Sequence, residues 1–292
     1  RPRRPLFPRS VVRLGLPIAM LGLAEQAFMT ADKWIILGLF GERTMGLYGM
    51  AVFPMPILML VPLALRQTVS IDIYDKFNRT GRLDSCRSVY ERSLLTIALG
   101  SPIIIGAVYL GVPWLVNDFL EEFRPCIPVL KAHAILAYAI VVIQTAIPIV
   151  VIAKKEKQVI GCLMVFAIVP AIIATMTQQE GDMMGVLFIH GTAWLLFSVG
   201  LLTIAERWQG ATWSRAPLLA IGALLPAAYL AIELPLVERV TAAMGFAPHT
   251  FIFGAVGGVL HVIACLPFLL ILEKKTGGVS FFARKLFGRL RR

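Results

Sequence analysis

Apolar residues along this chain fall in blocks of about twenty, separated by short segments rich in charged residues. A helix needs about 20 apolar residues to cross the hydrocarbon core of a bilayer. A membrane β-barrel would instead show short segments in which apolar and polar residues alternate. The pattern therefore predicts an all-α fold, a polytopic membrane helix bundle of about eight transmembrane helices. The predicted spans are residues 11–40, 45–69, 89–112, 125–153, 158–177, 183–205, 217–237 and 249–272.

The distribution of basic residues predicts the orientation of these spans. With the N-terminus placed in the cytoplasm, 23 of the 28 lysines and arginines fall on cytoplasmic flanks. Four lie on the opposite side (Arg43, Arg124, Lys131 and Arg239), and Lys33 lies within a span. Cytoplasmic loops of membrane proteins collect Lys and Arg. We therefore expect a multi-pass protein of the cell (inner) membrane with both termini in the cytoplasm.

The same pattern divides the chain into four parts. Residues 1–10 form a basic cytoplasmic lead-in, and residues 11–205 form a six-helix lobe. Residues 206–272 contribute two additional transmembrane helices. Residues 273–292 form a basic cytoplasmic tail, in which apolar residues such as Phe281 and Leu286 at helical spacing predict an amphipathic helix on an anionic leaflet.

Composition narrows the classes of function. Of 292 residues, 58% are hydrophobic and 15% charged, with mean hydropathy +0.79, which excludes an ordinary soluble domain. The net charge of +11 is explained by the cytoplasmic loops rather than by nucleic-acid binding. The four cysteines are far apart, and the chain contains no Walker A, GxGxxG or HExxH pattern. We expect no cofactor, no metal and no catalytic residue.

The first span contains four polar or charged residues, Glu25, Gln26, Asp32 and Lys33. Glu25 lies about 21 Å along the helix from Val11, close to the middle of the bilayer. Asp32 follows two turns later on roughly the same face. Ionisable residues inside a span usually face a bundle interior or a wet cavity, where these carboxylates could take up a proton or a cation or bind a polar ligand. For Asp32, pairing with Lys33 or another neighbour at the far interface is an equally good interpretation.

Lys131 and Gln144 add polar groups in the fourth span. If both face the same cavity as the first span, a cation there would suit a phosphate or an acidic sugar. Simple snorkelling of Lys131 to the interface is the alternative. The predicted substrate or cation cavity is lined by Glu25, Gln26, Asp32, Lys33, Lys131 and Gln144.

Small residues line one face of the eighth span. Gly254 and Gly258 form a GxxxG pattern, which allows close helix approach. Packing inside the bundle is the favoured use, and homodimerisation is the alternative.

The opening stretch resembles a known family. Gly15-Leu16-Pro17, then Asp32-Lys33 with Ile35-Ile36, then Gly46-Leu47-Tyr48 are similar to the start of the second six-helix bundle of Wzx-like polysaccharide flippases. These transporters of lipid-linked oligosaccharides, including O-antigen, belong to the multidrug/oligosaccharidyl-lipid/polysaccharide exporter superfamily. The resemblance covers about residues 10–205, and the family's motif aspartate corresponds to Asp32. Family members have two bundles, so this chain resembles a C-terminal portion, either a fragment or a half-transporter.

The resemblance implies a function. The chain would help to move an undecaprenyl-pyrophosphate-linked glycan across the cytoplasmic membrane in polysaccharide biosynthesis, coupled to a proton or cation. Its partners would be the bilayer, the lipid-linked glycan, and either the missing N-terminal lobe or a second copy. Alternatives on the same fold are a peptidoglycan-precursor flippase and a drug/cation antiporter. Alternatives of another class are an assembly subunit and a lipid glycosyltransferase using Asp72, Asp75 and Asp84.

Overall fold

A computed structural model describes residues 9–177 and 182–276, and every regular element in these ranges is helical. The predicted lead-in up to residue 8, residues 178–181 and the tail from residue 277, with Phe281 and Leu286, lie outside the described residues. The helices are α1 (Arg9–Val52), α2 (Met55–Thr80), α3 (Arg87–Phe119), α4 (Ile127–Leu136), α5 (Tyr138–Ile143), α6 (Ile147–Ile152), α7 (Glu156–Thr177), α8 (Met183–Trp208), α9 (Arg215–Ala243) and α10 (Phe251–Thr276).

Seven helical segments of the described chain are long and apolar enough to cross a membrane. They correspond to the second to eighth predicted spans, and the first predicted span lies in α1, which is not one of the seven. The prediction of an all-α, multi-pass bundle is confirmed. The seven segments are Met55–Thr80, Asp84–Phe119, Glu121–Ile152, Glu156–Thr177, Met183–Trp208, Arg215–Ala243 and Phe251–Lys275.

The fourth span lies at the centre of the bundle. Its three helices, α4 to α6, pack between them against α1, α2, α3, α7, α8 and α9. The side chains from Tyr138 to Val150 are all buried. Helices at the periphery instead expose many large apolar side chains, as expected for surfaces that face lipid. The fourth span thus forms the core of the bundle.

The break between the first two predicted spans falls at Gly41, within the turn predicted at residues 41–44. Gly41 alone leaves helical geometry, with φ 76° and ψ −177°, and helix resumes on both sides. Such backbone angles favour glycine, which has no Cβ to clash. A second break follows at Phe53 and Pro54, because proline cannot continue the helical hydrogen bonding.

Helix α2 continues well beyond the predicted end of its span at residue 69. It ends at Thr80, where Gly81 adopts a left-handed conformation and donates its N–H to the carbonyl of Phe77. Residues predicted as a polar loop are therefore helical, and buried Ile73 continues the packed face of the helix. This extension places Arg66 in mid-helix rather than at a cytoplasmic end.

Two further features bear on the site. In the fourth span, the turn from Gln144 to Ala146 separates α5 from α6, and Pro148 in the first turn of α6 lacks the N–H that a continuous helix would need. At the periphery, α10 packs along α3 and α9. A Cβ added to Gly254 would lie 3.1 Å from the carbonyl oxygen of Leu110, so this glycine allows close packing of α10 on α3, whereas a Cβ added to Gly258 would meet nothing within 4 Å.

Candidate functional site

A charged network joins α1, α2 and the fourth span. The Nη1 atom of Arg66 donates to the Glu25 carboxylate, at 3.2 and 3.4 Å, and to Oε1 of Gln144, at 2.6 Å. The side chain of Glu25 is 12% exposed and that of Arg66 25% exposed. Glu25 and Gln144 both belong to the lining predicted from the sequence, and the structure brings these two together through Arg66.

The break in the fourth span positions Gln144. Its backbone lies in the turn before α6, and its buried side chain accepts the hydrogen bond from Arg66. Irregular backbone at this depth is tolerated because the turn is buried in protein, and Thr145 donates its hydroxyl to the carbonyl of Val142. The network therefore rests on an element that the surrounding helices hold in place.

Helices α1 and α2 do not pack along one another. They lie against different neighbours, α1 against α7, α4 and α8, and α2 against α3 and α6. The ion pair of Glu25 with Arg66 thus bridges the gap between these two helices, called the groove below, beside Gln144 of the fourth span. Buried and half-buried apolar side chains, Phe28, Met29 and Ile143 among them, line a small crevice beside Glu25 and Gln144.

Arg66 retains unused hydrogen-bonding capacity. Of its donors, only Nη1 bonds to a residue in the described part of the chain, and the side chain is partly exposed. A guanidinium has five N–H donors in a planar fork that matches carboxylate and phosphate oxygens. The remaining donors, on Nε and Nη2, suit an anionic ligand entering the groove.

Asp32 and Lys33 belong to a second cluster, about 10 Å further along α1. Asp32 is fully buried and accepts a hydrogen bond of 2.5 Å from the hydroxyl of Tyr48. His133 of α4 and His190 of α8 both interact electrostatically with it. Lys33 is half-buried beside them. These residues do not join the Arg66 network.

The other two predicted residues lie elsewhere. Gln26 is exposed on the outer side of α1. Lys131 forms an ion pair with Glu238 of α9 and lies over the ring of Tyr109, at 5.4 Å from its centroid. Lys131 thus links α4 to α9 and α3. This position differs from both interpretations of the sequence, a residue that lines the cavity and a side chain that snorkels to the interface. The six residues of the predicted lining thus lie in four separate places.

Sequence reasoning missed Arg66 and His190, and it named Tyr48 only as part of the family's motif. The predicted second span ends at residue 69, which places Arg66 on the cytoplasmic flank of that span. The helical spacing of Leu58, Pro62 and Ile73, all buried, continues through it and could have revealed the longer helix.

Comparisons of the chain with protein-family models, with curated proteins and with solved structures find no match. The resemblance to polysaccharide flippases therefore stays a prediction that rests on the sequence motif alone. The class that the fold defines is a multi-pass, all-α membrane protein.

Proposed function

We propose that this chain is one lobe of a transporter that moves an undecaprenyl-pyrophosphate-linked oligosaccharide across the cytoplasmic membrane. The observation that supports this most directly is Arg66, a partly exposed guanidinium held at the depth of a membrane helix by Glu25 and Gln144. A charge at such a position is costly and is usually retained for a ligand or pathway.

The chemistry of the cargo suits the groove. A lipid-linked oligosaccharide has a pyrophosphate between a polar glycan and an apolar tail. Arg66 offers the pyrophosphate a bidentate cation. The apolar tail would lie against exposed apolar side chains of the groove-forming helices, such as Leu16 and Leu23 of α1 and Leu60 and Leu63 of α2.

Glu25 has a defined part in this mechanism. It neutralises Arg66 while the groove is empty, since an unpaired charge in the bundle would cost several kcal/mol. An arriving pyrophosphate would bind the guanidinium of Arg66 beside Glu25 or in its place. The return of Glu25 to the guanidinium would then favour release of the cargo. Because α1 and α2 have separate neighbours, the groove can change width without repacking the core.

A second lobe completes the proposal. Alternating access needs a body for the first lobe to rock against. We place that body across the groove between α1 and α2, and it is either an N-terminal lobe or a second copy of the chain. A cationic drug is a poor alternative cargo, because Glu25, the acidic group of this network, is already paired with Arg66.

The test is transport of a fluorescent lipid-pyrophosphate oligosaccharide by the full-length protein in proteoliposomes. Arg66→Gln should lower the initial rate about 10- to 100-fold, since a charge-assisted hydrogen bond contributes about 1.5–3 kcal/mol. Arg66→Lys should fall in between, because it keeps the charge and loses the fork.

Arg79→Gln is the matched control. Arg79 lies on the same helix, exposed, in an ion pair with Asp75. Its loss should change transport less than about twofold, because exposed pairs contribute little. Equal rates for wild type and Arg66→Gln at equal protein levels would refute the proposed function.

A further inference from the structure

A cleft on the outer surface of the bundle lies between α7 and α8, apart from the groove at Arg66. It has a volume of about 270 Å³, and apolar side chains such as Phe166 of α7 and Leu201 and Ile204 of α8 line it. Leu196, which also lines it, is 59% exposed, as expected for a surface that faces lipid. This space, called the α7–α8 cleft below, therefore opens towards the membrane rather than into the core.

The length of the α7–α8 cleft matches one leaflet of a bilayer. Its lining on α7 runs from Gln158 to Phe166, about 12 Å, and on α8 from Trp208 back to Leu196, about 18 Å. The hydrocarbon core of a bilayer is about 30 Å thick, so one leaflet contributes about 15 Å. An apolar space of this length and volume fits one hydrocarbon chain of a lipid.

Gln158 and Trp208 identify the end of the cleft that lies at the membrane–water interface. Gln158 is in the first turn of α7 and Trp208 is the last residue of α8, and both line the cleft. Tryptophan is enriched at membrane–water interfaces, where its ring lies at the level of the lipid headgroups. A lipid whose chain occupies the cleft would therefore have its headgroup at this end.

Three lysines lie beside this end of the cleft. Lys154 and Lys157 are exposed and Lys155 is half-buried, and no carboxylate of the described residues lies within 4.0 Å of their Nζ atoms. The carbonyl of Lys155 accepts hydrogen bonds from the N–H groups of Gln158 and Val159, which both line the cleft, at 3.1 Å each. Backbone hydrogen bonds thus join the lysine turn directly to the mouth of the cleft.

The turn between α6 and α7 places its cations at the surface and its acid in the interior. Lys154 adopts a left-handed conformation, with φ 56°, and donates its N–H to the carbonyl of Val151 at 3.1 Å. Glu156, the one acid of this lysine-rich run, is buried. The exposed side of the turn therefore carries positive charge that no anion of the described chain neutralises, at the level where lipid phosphates lie.

We propose that the α7–α8 cleft binds one anionic phospholipid of the bilayer, with its headgroup on Lys154, Lys155 and Lys157 and one acyl chain along Phe166 and Leu201. The apolar cleft favours a lipid over a soluble phosphate, because only a lipid has a chain that fills it. The lysines favour an anionic over a zwitterionic headgroup, since each basic residue near the membrane surface strengthens binding of anionic lipid about fivefold. An extended protein segment fits less well, because its backbone polar groups would be unpaired in hydrocarbon.

The cleft is next to the Arg66 network but chemically separate from it. Phe197 lines both the cleft and the crevice beside Glu25. Its ring lies 5.6 Å from that of Phe166 and 5.1 Å from that of Phe28. Within the described chain, Arg66 forms no hydrogen bond to a residue of the cleft. Lipid binding in the cleft therefore does not rest on the proposed function.

Photo-crosslinking of the full-length protein in lipid nanodiscs tests the site without any cargo. The probes are phosphatidylglycerol and phosphatidylcholine with identical acyl chains, each carrying a diazirine, at equal mole fraction in the same background lipid. Mass spectrometry of the peptides then locates the labelled residues. Phosphatidylglycerol should label the cleft at least about fivefold more than phosphatidylcholine. At Ile232, exposed on α9, the two lipids should label equally, because that residue reports ordinary contact with the bilayer.

Two kinds of variant separate the headgroup from the chain. Changing Lys154, Lys155 and Lys157 together to glutamine should lower labelling by phosphatidylglycerol to the level of phosphatidylcholine. Gly200→Leu should lower labelling of the cleft by both lipids, because Gly200 lines the cleft and its added Cβ meets nothing within 4 Å, so the new side chain fills the space without a clash. Gly222→Leu is the matched control, since Gly222 is exposed on α9 and its added Cβ also meets nothing.

Three outcomes would overturn the assignment. Equal labelling of the cleft by the two lipids would mean apolar contact with the bilayer only. An excess of phosphatidylglycerol that survives the lysine substitutions would place the headgroup elsewhere, and unchanged labelling in Gly200→Leu would exclude the cleft as the site of the chain. These results are separate from transport. A null effect of Arg66→Gln on transport would refute the proposed function and leave the lipid site standing.

Discussion

Gly106 of α3 should be indispensable because His261 of α10 occupies the space beside it. A Cβ added at Gly106 would lie 2.0 Å from Nε2 of His261, far inside contact distance. That ring is 1% exposed and is held by the Glu233 carboxylate, at 2.9 Å, and the carbonyl of Pro102, at 3.0 Å. Gly106→Ala must displace the ring and break both bonds.

The expected loss of stability follows from the buried groups that lose their partners. Separating the members of a buried ionic pair costs about 3–5 kcal/mol. Replacing a helical glycine by alanine returns about 1 kcal/mol of helix propensity. Gly106→Ala should therefore lower the free energy of unfolding by about 2–4 kcal/mol.

Reversible unfolding of the purified protein in mixed micelles, followed by tryptophan fluorescence, measures this difference. Gly100→Ala is the matched control, since it lies on the same helix and its added Cβ would meet nothing within 4 Å. It should be neutral or stabilise by up to about 1 kcal/mol.

A double-mutant cycle isolates the clash. In a His261→Ala background the ring is gone, so Gly106→Ala should cost nothing further. If Gly106→Ala is as stable as Gly100→Ala, or is equally harmful without His261, the packing argument for this interface is wrong.

Further predictions concern other contacts of the bundle. Lys131→Met should destabilise by about 3–5 kcal/mol because it leaves Glu238 unpaired, and Lys131→Met with Glu238→Gln should recover most of that loss in the same assay. Tyr138→Phe should cost about 1–3 kcal/mol, since the Tyr138 hydroxyl reaches the carbonyl of Ala98 that Pro102 leaves without a helical N–H; an unchanged unfolding curve would contradict this. Burial, and then Lys131, lowers the pKa of His249 in the loop between α9 and α10, so the folded state binds its proton less readily than the unfolded state. Stability should therefore fall as pH drops through the ordinary histidine pKa of about 6.5, and His249→Asn should flatten that part of the pH profile.

The sequence predicted the helices well and their ends less well. Blocks of apolar residues are set by the thickness of the bilayer, so length and composition located the second to eighth spans. The errors were at boundaries. The predicted break at residues 41–44 is confined to Gly41, a second break falls at Phe53 and Pro54, and α2 runs on to Thr80. A polar segment can be helical or not, and the choice depends on what it packs against.

The candidate site shows the same division. Glu25, Asp32 and Gln144 could be recognised from the sequence, because an ionisable or polar residue in an apolar block is conspicuous. Their partners could not be recognised from the sequence. Arg66 lies 41 residues from Glu25 and 78 from Gln144, and only the packing of α1 and α2 around the fourth span brings them together.

What the sequence determined by itself is therefore the class of the molecule, a multi-pass helical membrane protein with acidic groups buried in its first helix. What only the tertiary structure decided is which of those groups are neutralised by a cation. Glu25 is paired with Arg66, and Asp32 has only the hydroxyl of Tyr48. The physical reason is that hydropathy acts residue by residue along a helix. Charge compensation instead requires atoms from different helices within a few ångströms of each other.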